Sequence, residues 1–195
     1  MINAARRVKG FKSQYGQLIS SNNTKYLEIG SLSNKEIYEG TNIYHPLDNN
    51  NKLMNGYMAR VIPYINLNTD EIYATMRASI LGICPKFIDF IECDVDNVHT
   101  YILLFEYING LSLNSYLQQK NIKSFSQVPN NIIERIRIIY TTLYNNGIKI
   151  DNKNGDNIII INKRFYLVNY SNASIYRHPV THNKKFSIKL ELDKD

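Results

Sequence analysis

Apolar side chains recur every three to four residues between positions 132 and 143, the spacing that places them on one face of a helix. The stripe consists of Ile132, Ile133, Ile136, Ile139, Tyr140 and Leu143. Asn131 and Glu134 have the spacing of a capping box, and Gly147 ends the periodic pattern. We therefore predict a buried helix over 131–146.

Two further stretches have helical spacing. Asn68 or Thr69 can cap a helix that runs from Glu71 to Leu81. The first 24 residues also place apolar side chains at helical spacing, among basic ones. A basic amphipathic helix can bind a membrane surface or an acidic partner, but such a segment more often packs on its own domain. We predict that residues 1–24 form a helical extension of that second kind.

Apolar runs predict strands in much of the remaining chain. The predicted strands are 26–30 and 35–40, paired as a hairpin, followed by 56–62, 100–108, 158–161 and 166–170. The polar residues Asn162-Lys163-Arg164 separate the last two strands, so we predict a second hairpin over 157–168. Helices and strands therefore combine in an α+β fold.

Composition narrows the classes of protein to which this chain can belong. Hydrophobic residues make up 44% and charged residues 21% of 195 positions, the balance of a globular protein. A formal charge of +6 favours acidic partners, but without a dense run of lysine and arginine nucleic acid is not the expected one. Cys84 and Cys93 lack metal-site spacing and are expected to be reduced thiols. No apolar run approaches about 18 residues and no signal-peptide core is visible, so we expect an intracellular protein without a membrane span.

The polar loop after the helix predicted over 131–146 carries the candidate chemistry. Asn152 and Asn157 lie in this loop, and Asn169 lies at the end of the second hairpin. The arrangement resembles that of protein kinases, in which a catalytic loop carries an aspartate base and, five residues later, a metal-binding asparagine. The next strand of a kinase delivers a magnesium-binding aspartate. By this resemblance Asn157 takes the asparagine position, whereas Asn152 and Asn169 replace the base and the magnesium aspartate.

The first half of the chain is similar to a kinase in the same order. Gly30 matches one position of the glycine-rich loop, and Leu32 and Lys35 stand at the other two. Arg60 occupies the place of the strand lysine that holds the α and β phosphates, and Glu71 that of the helix glutamate. The resemblance therefore implies an ion pair between Arg60 and Glu71.

The strand predicted over 100–108 resembles the kinase hinge that links two lobes. By that resemblance Phe105 is the gatekeeper, and the backbone from Glu106 to Ile108 faces the adenine of an ATP-binding cleft. The resemblance covers about 26–175 and implies a bilobal fold. An antiparallel N-lobe sheet with helix 71–81 against it is expected within 25–108. A truncated, mostly helical C-lobe is expected within 109–195.

The amides at two catalytic positions imply a pseudokinase. An amide cannot accept the proton of a substrate hydroxyl as a carboxylate does, and a neutral oxygen binds Mg²⁺ less well. We therefore expect no firmly bound cofactor, and weak binding of ATP with magnesium at most. Asp151 and Asp156 each precede a motif asparagine, so a slip of one residue would bring in carboxylates. An active, atypical ATP-dependent transferase on a minimal kinase fold is accordingly the alternative.

The short chain is similar to minimal kinases that some pathogenic bacteria use as effectors, and to short viral kinase-like proteins. This similarity implies that the chain binds and modulates a partner protein, such as a component of host signalling. It also implies a location in the host cytoplasm.

Overall fold

The computed structural model describes residues 29–95, 98–151 and 153–176. The predicted extension over 1–24 lies outside these residues. The chain is of mixed α+β class and divides into two compact units. The first unit comprises the described part of Met1–Leu67 together with Lys86–Tyr107, and the second comprises Asn68–Pro85 with the described part of Ile108–Asp195.

The first unit is built on a five-stranded antiparallel sheet. Its strands are β1 (Ser31–Tyr38), β2 (Ile43–Leu47), β3 (Tyr57–Pro63), β4 (Phe87–Val95) and β5 (Val98–Glu106). Their spatial order is β1-β2-β3-β5-β4. The register of β3 and β5 runs from Tyr57 opposite Glu106 to Pro63 opposite Thr100. An antiparallel sheet in the first half of the chain was predicted, and β3 and β5 lie within two residues of their predicted bounds.

The first predicted hairpin is wrong. Residues 35–40 were expected to pair with 26–30, but Ser31–Tyr38 forms a single strand that pairs with β2. The chain reverses between Tyr38 and Ile43, where Asn42 adopts a positive φ of 51°. Asparagine tolerates this left-handed conformation better than most residues, so the turn forms here. Residues 26–28 lie outside the described part of the chain.

The second unit contains three helices and several short strands. The helices are α1 (Thr69–Ile80), α2 (Leu113–Gln119) and α3 (Asn130–Asn145). The strands are β6 (Leu111–Ser112), β7 (Ile148–Ile150), β8 (Ile158–Ile161), β9 (Arg164–Leu167) and β10 (Ala173–Ile175). One small sheet has the order β6-β8-β9, and a second consists of β7 and β10. None of the described helices has the length and apolar character needed to cross a membrane.

The helix α3 agrees with its predicted bounds to within one residue, but its predicted cap is wrong. Pro129 precedes the helix, and no side chain caps its first turn. A proline with a φ of −56° is already set for a helix start, so Asn131 falls inside the first turn instead of before it. Glu134 bonds to Arg137, one turn further along α3.

The second hairpin forms where it was predicted. Strands β8 and β9 pair from Ile158 opposite Leu167 to Ile161 opposite Arg164. Asn162 and Lys163 adopt positive φ angles of 48° and 64° in the turn, the conformation of a tight two-residue hairpin turn. The helix α3 packs against this hairpin. At their contact, Arg135 Nη1 donates a hydrogen bond of 2.9 Å to the carbonyl of Lys163.

The helix α1 belongs to the second unit. Asn68 caps it by accepting from Asp70 N at 3.0 Å, one of the two predicted caps. The same Asn68 side chain donates to the carbonyls of Ser171 and Ala173, and Ile175 N donates to Asp70 Oδ2. These bonds join the start of α1 to β10. The division therefore differs from the predicted boundary, which placed this helix with the strands of 25–108.

Candidate functional site

Asp151 forms an ion pair with Lys149, two residues earlier in the chain. Asn152, at the predicted base position, lies outside the described residues. Asp151 is exposed, and its Oδ1 lies 2.6 Å from Nζ of Lys149 on β7. A hydrogen bond to Asp151, reinforced by its charge, raises the pKa of Lys149. The charge of Asp151 is therefore balanced by the ammonium group of Lys149.

Asp156 ties its loop to the start of α2. Its Oδ1 accepts from Ser112 Oγ at 3.1 Å, and its Oδ2 accepts from Asn114 Nδ2 at 2.9 Å. Gly155 allows this close approach, because a Cβ there would lie 2.0 Å from Asn114 Oδ1. The two side-chain donors fix the orientation of this carboxylate. We assign Asp156 a structural role, which the sequence did not reveal.

The two predicted metal positions are close along the hairpin backbone. Asn157 is 7% exposed, and its carbonyl accepts from Val168 N at 2.9 Å, next to Asn169. The Oδ1 of Asn169 accepts from Ser171 N at 3.0 Å, so this oxygen already closes a local turn. Among the described residues no group of three or more histidine, cysteine, aspartate or glutamate side chains could hold a metal ion. The neutral oxygens present do not fit the carboxylate-based magnesium site of a kinase.

Gly30 is explained by packing and not by a phosphate loop. Its amide donates to the carbonyl of Leu47 at 2.8 Å, and a Cβ at this position would lie 2.4 Å from the carbonyl oxygen of Asp48. Leu32, expected near the phosphates, is 1% exposed within the apolar core of the first unit. The glycine-loop positions therefore lie in or beside a regular strand.

An internal carboxylate binds the amides of the turn between β1 and β2. Glu36 Oε2 accepts from Thr41 N and from Asn42 N, each at 2.9 Å. Successive backbone amides in a turn form a site for an anion, and here the anion belongs to the chain itself. Burial and the charge of Glu36 raise the pKa of Tyr44, whereas Arg60 lowers it. Sequence reasoning missed this site, because it placed the turn elsewhere.

Arg60 and Glu71 are deeply buried. Arg60 on β3 is 6% exposed and donates from Nη1 to the carbonyl of Val61 at 3.3 Å, and Glu71 on α1 is 2% exposed. No other charged side chain in the described part of the chain is buried to this extent. Buried charges require compensation by opposite charges or hydrogen bonds. The ion pair between them stays a prediction.

The hinge positions use their backbone amides inside the first unit. Glu106 N donates to the carbonyl of Lys86 at 2.9 Å, and Tyr107 N donates to that of Gly56 at 2.8 Å. Phe105, the predicted gatekeeper, is 2% exposed, and Ile108 is the first residue of the second unit after the break. The backbone amides of Glu106 and Tyr107 are thus bonded within the first unit.

No protein-family model matches this chain, and a search of curated proteins found no match either.

Proposed function

We propose that this chain is a kinase-like module that transfers no phosphate and acts by binding a partner protein. The observation that carries the proposal is the state of the acids beside the motif asparagines. Asp151 faces Lys149, and Asp156 accepts from Ser112 and Asn114. Both acids have partners within their own loop region, which supports the interpretation that a slip of one residue does not supply the missing carboxylates.

The order of the elements supports the kinase-like part of the proposal. An antiparallel sheet comes first, and a long helix, a polar loop and a tight hairpin follow in the second unit. The resemblance requires α3 to pack beside that hairpin, and Arg135 bonds to its turn. A helix packed away from the hairpin would have argued against the resemblance.

The turn between β1 and β2 supports weak nucleotide binding at most. Glu36 already accepts from the amides of Thr41 and Asn42, so these donors are not open to an anionic ligand. A phosphate approaching the same amides would be repelled by this carboxylate. The proposal therefore expects no metal-dependent affinity for ATP.

The setting that we propose is intracellular and includes a host cytoplasm. Cys84 is a free, buried thiol, as expected of a protein that folds in a reducing compartment. The proposed partner is a protein, because a kinase-like scaffold that transfers no phosphate would act by binding.

Restoration of the carboxylates tests the proposal. The unmodified chain should show no thermal shift with ATP in the presence of Mg²⁺ or Mn²⁺. The double variant Asn152→Asp with Asn169→Asp should gain a metal-dependent shift, because it supplies a base and a metal ligand. Asn172→Asp adds an acid to an exposed loop position outside the motif and should gain none.

Transfer of radiolabelled phosphate is the decisive second measurement. Phosphorylation of itself or of a general protein substrate by the unmodified chain would overturn the proposal and favour the atypical transferase. If Asn172→Asp produces an equal metal-dependent shift, added negative charge alone is responsible. The shift would then give no support to a kinase-like geometry.

A further inference from the structure

A groove of about 300 Å³ lies on the second unit, between α3 and the hairpin of β8 and β9. It is lined by Gly82, Arg135, Ile138, Arg164, Phe165 and Tyr166, among others. Its volume is at the lower end of that of ligand pockets and suits a few side chains of a peptide. None of these residues belongs to the motif positions discussed above.

Arg135 is fixed at the edge of the groove. Its Nη1 donates to the carbonyl of Lys163 at 2.9 Å, and its guanidinium carbon lies 5.8 Å from the centre of the Phe165 ring. The hydrogen bond and the cation–π contact restrict a side chain that is otherwise exposed. The remaining guanidinium N–H groups are therefore held in place for a carboxylate, with little further loss of side-chain entropy.

The charges around the groove have one sign. Arg135, Lys163 and Arg164 are exposed cations of the groove and its rim. The one acid of α3, Glu134, bonds to Arg137 on the same helix. An approaching anion therefore meets two arginines in the lining without a competing carboxylate from α3 or from the hairpin.

The groove also has an apolar wall. Ile138 lies one helical turn after Arg135 and is 56% exposed, although it has an aliphatic side chain. Phe165 and Tyr166 are partly buried beside it. Burial of this surface by an apolar side chain would stabilise a complex by about 25 cal/mol for each Å² removed from water.

We infer that this groove binds an acidic peptide segment of the partner protein. Carboxylates of the segment pair with Arg135 and Arg164, and a neighbouring aliphatic side chain covers Ile138. This inference rests on the proposed function, since it names the surface through which the module binds. Nucleic acid fits less well, because a phosphate backbone uses the cations and leaves Ile138 exposed.

Fluorescence polarisation with a defined peptide tests the inference. The probe is a fluorescein-labelled repeat of Glu-Glu-Leu, and the matched peptide has serine in place of every leucine. The full chain should bind the leucine peptide more tightly, by about tenfold, because only that peptide covers Ile138. Equal affinity for both peptides, or binding of neither, would overturn the inference.

Variants of equal charge locate the contact. Arg135→Gln and Arg164→Gln should each weaken binding of the leucine peptide about tenfold, and Ile138→Ser should remove its advantage over the serine peptide. Arg137→Gln removes the same charge from the same helix but should change affinity less than about twofold, because that guanidinium is bonded to Glu134. If Arg137→Gln and Arg135→Gln lose similar affinity for the leucine peptide, the net charge of the chain explains the binding. That result would overturn the inference.

Two further measurements separate the alternatives. The amide of Gly82 and the methyl groups of Ile138 should shift in NMR spectra on addition of the leucine peptide. A single-stranded RNA that binds more tightly than the peptide, depends on both arginines and ignores Ile138→Ser would assign the groove to nucleic acid instead. Phosphate transfer by the unmodified chain would overturn the proposed function while leaving these binding results unchanged, so the two failures are distinguishable.

Discussion

The cores of the two units differ in the chemistry of their buried side chains. The first unit buries an aliphatic cluster of Ile29, Leu32, Ala59, Ile91, Ile102 and Leu104. The second unit buries Cys84, Tyr140 and Tyr170, which can ionise at alkaline pH and are at most 4% exposed. Within the described part of the chain the hydroxyls of Tyr140 and Tyr170 have no hydrogen-bond partner, although the Cys84 thiol lies beside Tyr170.

This difference separates two sources of stability. An aliphatic core depends on area removed from water and is indifferent to pH. Burial raises the pKa of Cys84, of Tyr140 and of Tyr170, because each group can be charged only at a high desolvation cost. The second unit should therefore lose stability as the pH rises above the ordinary pKa values of these groups. Each of the following variants tests one side of this contrast.

Alkaline pH should have the largest effect. The ordinary pKa values are 9.0 for cysteine and 10.0 for tyrosine, and all three groups titrate higher in the folded chain. Above about pH 9 the unfolded chain therefore binds fewer protons than the folded one, so the free energy of unfolding falls as pH rises. From pH 8 to about pH 10.5 the loss from these groups should be about 4 kcal/mol.

Guanidinium unfolding followed by circular dichroism measures this loss. The triple variant Cys84→Ala, Tyr140→Phe, Tyr170→Phe should lose about 4 kcal/mol less than the unmodified chain over the same pH range. An identical pH dependence for both proteins would show that these groups are solvated, and the contrast between the cores would fail.

Truncation of the aliphatic core should be the next largest effect. Leu104→Ala in β5 should lower the free energy of unfolding by about 3 kcal/mol, because Leu104 is fully buried in the cluster. The loss should be the same at pH 8 and at about pH 10. Ile65→Ala is the matched control, since Ile65 is 89% exposed and its truncation should be nearly neutral. A pH-dependent loss in Leu104→Ala would contradict the separation of the two sources.

Removal of the Asp156 carboxylate should have a smaller effect. Asp156→Ala removes an acceptor of both Ser112 and Asn114 and should destabilise the chain by about 2 kcal/mol in urea unfolding. Asp151→Ala removes an exposed acid of the same loop and should shift the midpoint much less. If Asp151→Ala shifts the midpoint as far as Asp156→Ala does, the structural role of Asp156 is wrong.

Removal of one buried hydroxyl should have the smallest effect. Tyr170→Phe deletes a buried hydroxyl that interacts with the Cys84 thiol, a weak hydrogen-bonding group, so stability at pH 8 should rise by about 0.5 kcal/mol. A thermal melt resolves the sign of this change. A loss of more than about 1 kcal/mol would instead show that the hydroxyl is satisfied, for example by a buried water.

Local patterns predicted the elements whose stabilisation is local. The stripe of α3 and the polar turn of the second hairpin are visible in consecutive residues, and both elements formed within a residue or two of their predicted bounds. The first hairpin failed, because its strand β1 contains the polar residues Ser33, Asn34 and Lys35. A strand with one solvated face tolerates such residues, so polarity alone did not mark the turn.

The candidate site also has features that the sequence shows directly and features that depend on the fold. The amide side chains at Asn157 and Asn169 and the cation at Arg60 are properties of single positions, and the sequence displayed them directly. The occupation of the turn amides by Glu36 depends on the reversal after Tyr38, which the sequence analysis placed elsewhere. The pairing of Glu36 with the amides of Thr41 and Asn42 can be predicted only when the position of the turn is known.

The sequence by itself determined the helix α3, the hairpin that follows it and the amide side chains at Asn152 and Asn169. Only the tertiary structure decided that α1 packs with β10, that Asp156 bonds to Ser112 and Asn114, and that three ionisable side chains share one core. Periodicity and turn chemistry report interactions within about one turn of helix or one hairpin. Contacts between residues some 40 to 100 positions apart depend on the path of the whole chain, and no local pattern records them.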